Sequence, residues 1–390
     1  MTALMNTYNR IDLAFERGEG AYLITADGRR YLDFASGIAV TALGHCHPHL
    51  VKTLQEQGAK LWHTSNLFKI PDQERLAERL VAASFADAAF FGNSGAEAVE
   101  CGLKLIRKYQ DDFGDPARYR VIAFEGAFHG RTLSTLAAAG NEKYLKGYAP
   151  DVDGFDHVPY GNLNEVRAKV GPETAAILIE PVQGEGGMRA ADVQFMKDLR
   201  TVCDEFGLLL MVDEVQSGMG RTGRLFAHEW AGITPDILST AKALGGGFPL
   251  GACLATSKVA AAFSHGSHGT TFGGNPLAMA IGNAVLDVIL APGFLDNVAK
   301  LGRYLDRRLS DLVKRFPKVF VEARGLGLMR GLKCAGSNAE VVDQARANGL
   351  LTVSAADNVV RLLPPLIVSE AEIDQAVDIL AAVAGQAKAA

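Results

Sequence analysis

The chain has little of what marks membrane, nucleic-acid-binding or secreted proteins. No apolar run approaches the ~18 residues that a membrane-crossing helix needs. Charge is nearly balanced: 39 Lys and Arg face 44 Asp and Glu, a net charge of −5. Without a basic excess or basic runs, neither nucleic acid nor an anionic membrane surface is an expected partner. Cysteine is scarce, and Cys46, Cys101, Cys203, Cys253 and Cys334 are dispersed and odd in number. They read as reduced core thiols, not as a disulfide framework. The opening MTALMNTYNRIDLAFERGEG lacks the basic and apolar regions of a secretory signal. Internal repeats, low-complexity segments and long linkers are absent as well. The expectation is a cytoplasmic enzyme.

What is present is length, glycine and a set of apolar runs. At 390 residues the chain exceeds one small core. The stretch Leu208–Phe248 organises the rest. An apolar run, Leu208 to Val212, ends in Asp213 and Glu214. A second short run, Ile237-Leu238, ends in Ser-Thr-Ala and a lone Lys242, followed by Gly245 to Gly247. An acid and a lysine, each past the end of a buried strand, suit a cofactor with a basic ring nitrogen and an aldehyde. A capping acid and a solvated lysine are the plainer alternatives.

In chain order, residues 20–35 read as a hairpin turning at Asp27-Gly28. His45, Cys46, His47 and His49 follow. Their spacing is too tight for usual ligand geometries, so a loop or a helix start is expected and no metal. Asp72–Ser84 has helical period. The run Ala88–Phe91 leads into Gly-Asn-Ser-Gly and a helix. Such a turn is either a phosphate site at a helix N-terminus or a plain tight turn. Val121–Phe124 leads into a loop with Phe128, His129 and Arg131. Arg131 is a candidate carboxylate partner and Phe128 a candidate ring stack, unless they are a surface arginine and a packing aromatic. Ala175–Glu180 is a buried strand leading to Glu185 among glycines, and Leu250–Ala255 reads as one more strand.

Beyond residue 288 the texture changes. Helices are expected over Asn297–Phe316, Glu340–Asn348 and Glu370–Ala384, and strands at Val319–Val321, Gly327–Lys333 and Val359–Leu363. This is an α+β pattern, unlike the βα alternation before it. The expected division is 1–50 and 289–390 as two parts of a small domain, with 51–288 as a large α/β domain.

Ser94-Gly95-Ala96, Phe128 and Arg131, Glu185, Asp213 and Gln216, and Lys242 each follow a separate apolar strand. In a parallel sheet those strand ends share one edge, where ligands bind. Gly218 to Gly223 matches GxGxxG. Asp213-Glu214 precede it, no apolar helix follows, and the next run lacks a ribose-binding acid, so dinucleotide binding is disfavoured.

GNSGAEAVE, FEGAFHGRT, EPVQGEGG, VDEVQSGMGRTG, TAKALGGGFPLGA and HGTTFGGNPLA together resemble the class III pyridoxal-phosphate-dependent aminotransferases of fold type I. The likeness runs from YLDFASGIAVTALGHCHP to RLLPPLIVSEAEID. It implies an α/β fold with a mostly parallel central sheet, helices on both faces and a smaller α+β domain made by the two chain ends. It implies pyridoxal 5'-phosphate as cofactor and a homodimer with shared sites. Lys242 would bind the cofactor covalently and carry the proton, and Asp213 would pair with the pyridine nitrogen. Val215 would pack under the ring, Phe128 over it, and Gln216 would bond its hydroxyl. Ser94, Gly95 and Ala96 would hold the phosphate, joined by Thr271 from the second subunit. Arg131 would clamp a substrate carboxylate, with Thr270 of the other chain nearby. Glu185 would pair with Arg361 for the amino donor and release it for 2-oxoglutarate.

GIAVTALGHCHP, the short N-terminus and SHGTTFGGNPLA favour the subgroup acting on N2-acetylornithine, which serves arginine biosynthesis. Members acting on ornithine, succinylornithine or 4-aminobutyrate share most other motifs. Decarboxylases, racemases and aminomutases use the same fold.

Overall fold

The central sheet assembles from the apolar runs. A computed structural model describes residues 3–387. Its largest sheet contains β1 (Ala88–Gly92), β2 (Arg120–Phe124), β3 (Phe155–Val158), β4 (Thr174–Ile179), β5 (Leu209–Asp213), β6 (Ile237–Thr240) and β7 (Gly251–Ala255). Their spatial order is β1-β7-β6-β5-β4-β2-β3. Every residue of β4 and β5 is buried. Both faces of these strands are covered, which is why they read as continuous apolar runs and not as alternating ones. Ile177, Ile179, Leu210 and Val212 pack into one apolar cluster, and Ala176, Leu178, Leu209 and Met211 into the opposite one.

Helix α1 (Gly95–Phe113) covers the second face through Val99, Leu103 and Ile106. A Cβ on Gly102 would meet the Met211 Cε at 2.4 Å, so glycine lets this helix press onto the sheet. Ser94 caps the helix, its hydroxyl accepting the Glu97 N–H. The Glu97 carboxylate reaches back to accept the Asn93 N–H at 2.8 Å and the Ser94 hydroxyl at 2.9 Å, which fixes the turn.

β4, β5, β6, β2 and β3 run parallel, and β7 runs antiparallel to both β6 and β1. The expected extra strand at Leu250–Ala255 therefore exists, but reversed. It also makes β1 parallel to the other five, since two reversals restore direction. All six parallel strands end on one edge, as the sequence pattern requires. Along β5 and β6 the register sets Asp213 opposite Ser239.

Two smaller sheets use the chain ends. The hairpin of Tyr22–Ile24 and Arg30–Asp33 forms as expected, turning through Gly28 at φ +84°. Leu350–Leu351 adds to it in parallel. The strands Phe320–Leu326 and Met329–Cys334 form one hairpin, longer than the expected runs, with Gly325 inside the strand. It turns at Gly327, where a Cβ would fall 2.5 Å from the Thr222 backbone. Val359–Leu362 pairs with Met329–Cys334 and sets Arg361 opposite Gly331, fully buried. No single helix among the described residues is long and apolar enough to cross a membrane.

Candidate active site

The loops leaving the parallel edge enclose a cavity of about 420 Å³. Ser94, Gly95, Ala96, Phe128, Arg131, Asp213, Val215, Gln216 and Lys242 all line it. Asp213 is the last residue of β5, and the others come from the turns after β1, β2, β5 and β6. Glu185 and Arg361 stand beside it. Arg361 Nη1 lies 2.7 Å from Glu185 Oε1 and 3.4 Å from Gln216 Oε1. Thr270 and Thr271 do not reach this cavity; they line a separate surface hollow with His63, Asn66 and Leu67.

Lys242 follows β6 with φ +47°, in the left-handed region. Burial first, then the Arg361 guanidinium, pushes its amine down to about 8. A side chain held at positive φ costs on the order of 1–3 kcal/mol and persists only where the surroundings impose it. Here the short helical turn Lys242–Leu244 and the glycines after it impose it.

Asp213 is almost fully buried. Its Oδ1 accepts the Val215 N–H at 3.0 Å, and its Oδ2 lies 2.8 Å from His129 Nδ1. With Asp213 ionised, His129 donates from Nδ1. That leaves His129 Nε2 buried without a partner among the described residues. Glu180, at the end of β4, is the other buried acid in the cavity. Its Oε2 accepts the Phe128 N–H at 3.0 Å. Burial, then the Asp213 charge, raises its carboxyl well above the usual carboxylate range. Of the two acids in the lining, Glu180 is thus the one suited to stay neutral.

Sequence reasoning gave His129 and Glu180 no role. The available signal was an acid ending an apolar run on the rim that carries Asp213. Glu214, the acid next to Asp213, is not a free charge before the glycine loop. It is fully buried and accepts the Ala227 N–H at 2.6 Å, the His228 N–H at 2.8 Å and the Ser217 hydroxyl at 3.2 Å, with His228 Nδ1 at 2.9 Å. It pins the glycine-rich loop in place. Within that loop a Cβ on Gly223 would meet Ala299 Cβ at 2.8 Å, so the glycine serves close packing. Arg221 is fully buried there and donates to the Leu328 and Pro364 carbonyls. The histidines of residues 45–49 diverge: His45 meets Asp33 at 2.8 Å and His49 meets Asp287 at 2.9 Å.

The lining fits pyridoxal phosphate. The Gly95 and Ala96 N–H groups precede the first intrahelical bond of α1 and are free for an anion. Gly95 has room for no side chain, since its Cβ would sit 2.6 Å from Val215 Cγ1. Asp213, braced by His129, suits a protonated ring nitrogen, and Lys242 supplies the amine. Phe128 and Val215 offer apolar surfaces for a flat ring.

The chain belongs to the class-III aminotransferases: the family model described as "Aminotransferase class-III" matches residues 4–384. It is a pyridoxal-phosphate-dependent aminotransferase of fold type I. An acetylornithine aminotransferase of Brucella melitensis is 58% identical over 373 residues, 96% of this chain and 93% of the relative. Acetylornithine aminotransferase 1 of Bradyrhizobium diazoefficiens is 59% identical, over 96% of this chain and 92% of its own. Among solved structures, the N-acetylornithine aminotransferase of Stenotrophomonas maltophilia superposes with a TM-score of 0.86 at 38% identity, covering 98% of each chain. An ornithine aminotransferase of Toxoplasma gondii, with pyridoxal phosphate at its active site, gives 0.92 at 30% identity, over 96% and 91% of the two chains.

Proposed function

We propose that the enzyme transfers the terminal amino group of N2-acetyl-L-ornithine to 2-oxoglutarate, giving N-acetyl-L-glutamate 5-semialdehyde and L-glutamate. The observation that carries this reading is the 2.7 Å pair of Arg361 and Glu185 beside the lysine cavity. A ping-pong enzyme must hold an amine-bearing donor and then a dicarboxylate in one pocket. With Glu185 on Arg361, the buried guanidinium is neutralised and the donor meets no spare cation. With Glu185 swung away, Arg361 offers its fork to the α-carboxylate of 2-oxoglutarate, the bidentate match that arginine makes best. The names of relatives at 55–59% identity support the acetylated donor.

When bound, pyridoxal phosphate supplies an aldehyde that takes up the amino group and a protonated ring that draws electrons from the reacting carbon. The chain's residues do the rest. Lys242 moves the proton, and an amine lowered to about 8 can act as a base near neutral pH. Asp213 would keep a proton on the ring nitrogen, and His129 holds Asp213 in line. Gln216 would bond the ring hydroxyl, and Phe128 and Val215 would pack against the ring. Ser94, Gly95 and Ala96 receive the phosphate, while Arg131 clamps a substrate carboxylate.

We read the functional unit as a homodimer, in which Thr270 and Thr271 serve the partner's cavity. Around their loop Trp62, Leu67, Phe68 and Phe272 are exposed at 66%, 90%, 66% and 63%. Asn66 ties this face together by donating to the Thr270 and Gly273 carbonyls. Such an apolar cluster suits a covered surface. The two-domain division expected from the sequence, with its boundary near residue 288, belongs to the same reading. So does a cytoplasmic location, consistent with free cysteines at all five positions.

The test is steady-state kcat/KM with 2-oxoglutarate against N2-acetylornithine, N2-succinylornithine, ornithine and 4-aminobutyrate. The acetylated donor is expected to lead. A lead by 4-aminobutyrate or free ornithine would overturn the donor assignment.

A further inference from the structure

Arg131 stands at the cavity mouth with an unusual set of neighbours. Among the described residues it has no hydrogen-bond or ion-pair partner; its recorded contacts are aromatic. Its guanidinium carbon lies 3.9 Å from the centre of the Tyr144 ring and 5.5 Å from that of Phe128. The two rings meet edge to face, with centroids 6.3 Å apart. An arginine on a protein surface commonly finds a carboxylate, and that carboxylate would compete with a substrate's. An aromatic face attracts the cation without using its donors. The guanidinium is planar, and its five N–H groups point outward in that plane. Contact with a ring face therefore leaves the whole hydrogen-bonding edge open.

The backbone is built to bring Tyr144 there. Helix α2 (Leu133–Ala139) starts beside Arg131 at its cap Thr132 and ends at Gly140, φ +62°. A Cβ on Gly140 would fall 2.4 Å from His157 Nε2, so the turn is tight as well as left-handed. Asn141 then caps the short helix α3 (Glu142–Leu145), its side chain accepting the Lys143 N–H. Together the two caps double the chain back and set Tyr144 over Arg131.

We propose that Tyr144 is a positioning residue for the carboxylate clamp: its ring face holds the Arg131 guanidinium at the cavity mouth while leaving the N–H edge free for substrate. This rests on the reading of Arg131 given above. Tyr144 is not among the residues lining the cavity; it acts through Arg131. The assignment makes the aromatic character of position 144, and not its hydroxyl, a determinant of substrate affinity.

The experiment measures steady-state KM and kcat of the holoenzyme for N2-acetylornithine and 2-oxoglutarate. The variants are Tyr144→Phe, Tyr144→Leu and Arg131→Ala, with visible cofactor absorbance as the control for an intact site. Tyr144→Phe should match wild type. Tyr144→Leu should raise KM about fivefold at nearly unchanged kcat, the size of effect that a part-exposed cation–ring contact provides. Ring-fluorinated phenylalanines at position 144 keep the shape and weaken the quadrupole, so KM should rise stepwise with fluorine count even if the leucine variant folds poorly. A flat fluorine series, or a leucine variant with wild-type KM, overturns the proposal. If Arg131→Ala itself leaves both KM values unchanged, the clamp reading falls instead.

Discussion

Replacing Lys242 with methionine should abolish catalysis and, in the cofactor-stripped protein, increase stability. The amine is pushed from 10.5 to about 8, chiefly by burial. At about 1.4 kcal/mol per pH unit this corresponds to roughly 3 kcal/mol of folding free energy lost to carrying a charged lysine. Water on the cavity side trims this to about 2 kcal/mol. The sign follows from which state binds the proton. Below pH 8 both the folded and unfolded chains carry the charge, so the full penalty applies. Between pH 8 and 10.5 only the unfolded lysine stays charged, and the penalty fades as pH rises. Methionine fills a similar volume without charge and inherits the same positive φ, so backbone strain cancels from the comparison. Urea denaturation of both apoproteins should therefore show the variant ahead by about 2 kcal/mol at pH 7, with the gap roughly halved near pH 9.3. A variant no more stable than wild type at pH 7, or a gap independent of pH, would refute the argument. With cofactor restored the order should reverse, because only wild type gains the covalent ligand.

Glu185→Gln should cut single-turnover efficiency with N2-acetylornithine about tenfold, since it leaves the buried Arg361 without its anion, while the 2-oxoglutarate half-reaction changes little. Equal losses in both halves would rule out the gate. Gly95→Ala should release cofactor on dialysis and lower stability by about 1–3 kcal/mol, because the new methyl meets Val215 at 2.6 Å; tight retention of colour would contradict the cradle. Co-refolding Lys242→Ala chains with Thr271→Ala chains should recover activity absent from either alone, as a mixed dimer contains one site with both residues. No recovery would mean that Thr271 does not act across an interface.

Much of this was legible in sequence because chemistry sits where apolar runs stop. Asp213 and Lys242 each end a buried run, and the run itself marks the strand. Strand direction was not legible: Gly251–Ala255 is as apolar as its neighbours, and nothing in LGACLA records that it runs backwards. His129 and Glu180 were missed for a related reason. Their significance lies in meeting Asp213 and Phe128, 84 and 52 residues away in sequence. The role of Glu214 was hidden because a buried acid satisfied by backbone N–H groups looks, in one dimension, like any other acid. Thr270 and Thr271 stand apart within one chain, and their assignment came only from family likeness.

The pairing of β5 with β6 has a metric consequence. Asp213 lies in register with Ser239, and Lys242 follows three residues later. The spacing of acid and amine is thus ruled off by a ladder of backbone hydrogen bonds, with divisions of about 3.3 Å. A slip of one division would carry the amine past the ring and turn Asp213 to the opposite face. Loops around the cavity can lengthen, shrink or change chemistry without disturbing this gauge, so the reach of the reaction is fixed by the sheet while the choice of molecule is left to its rim.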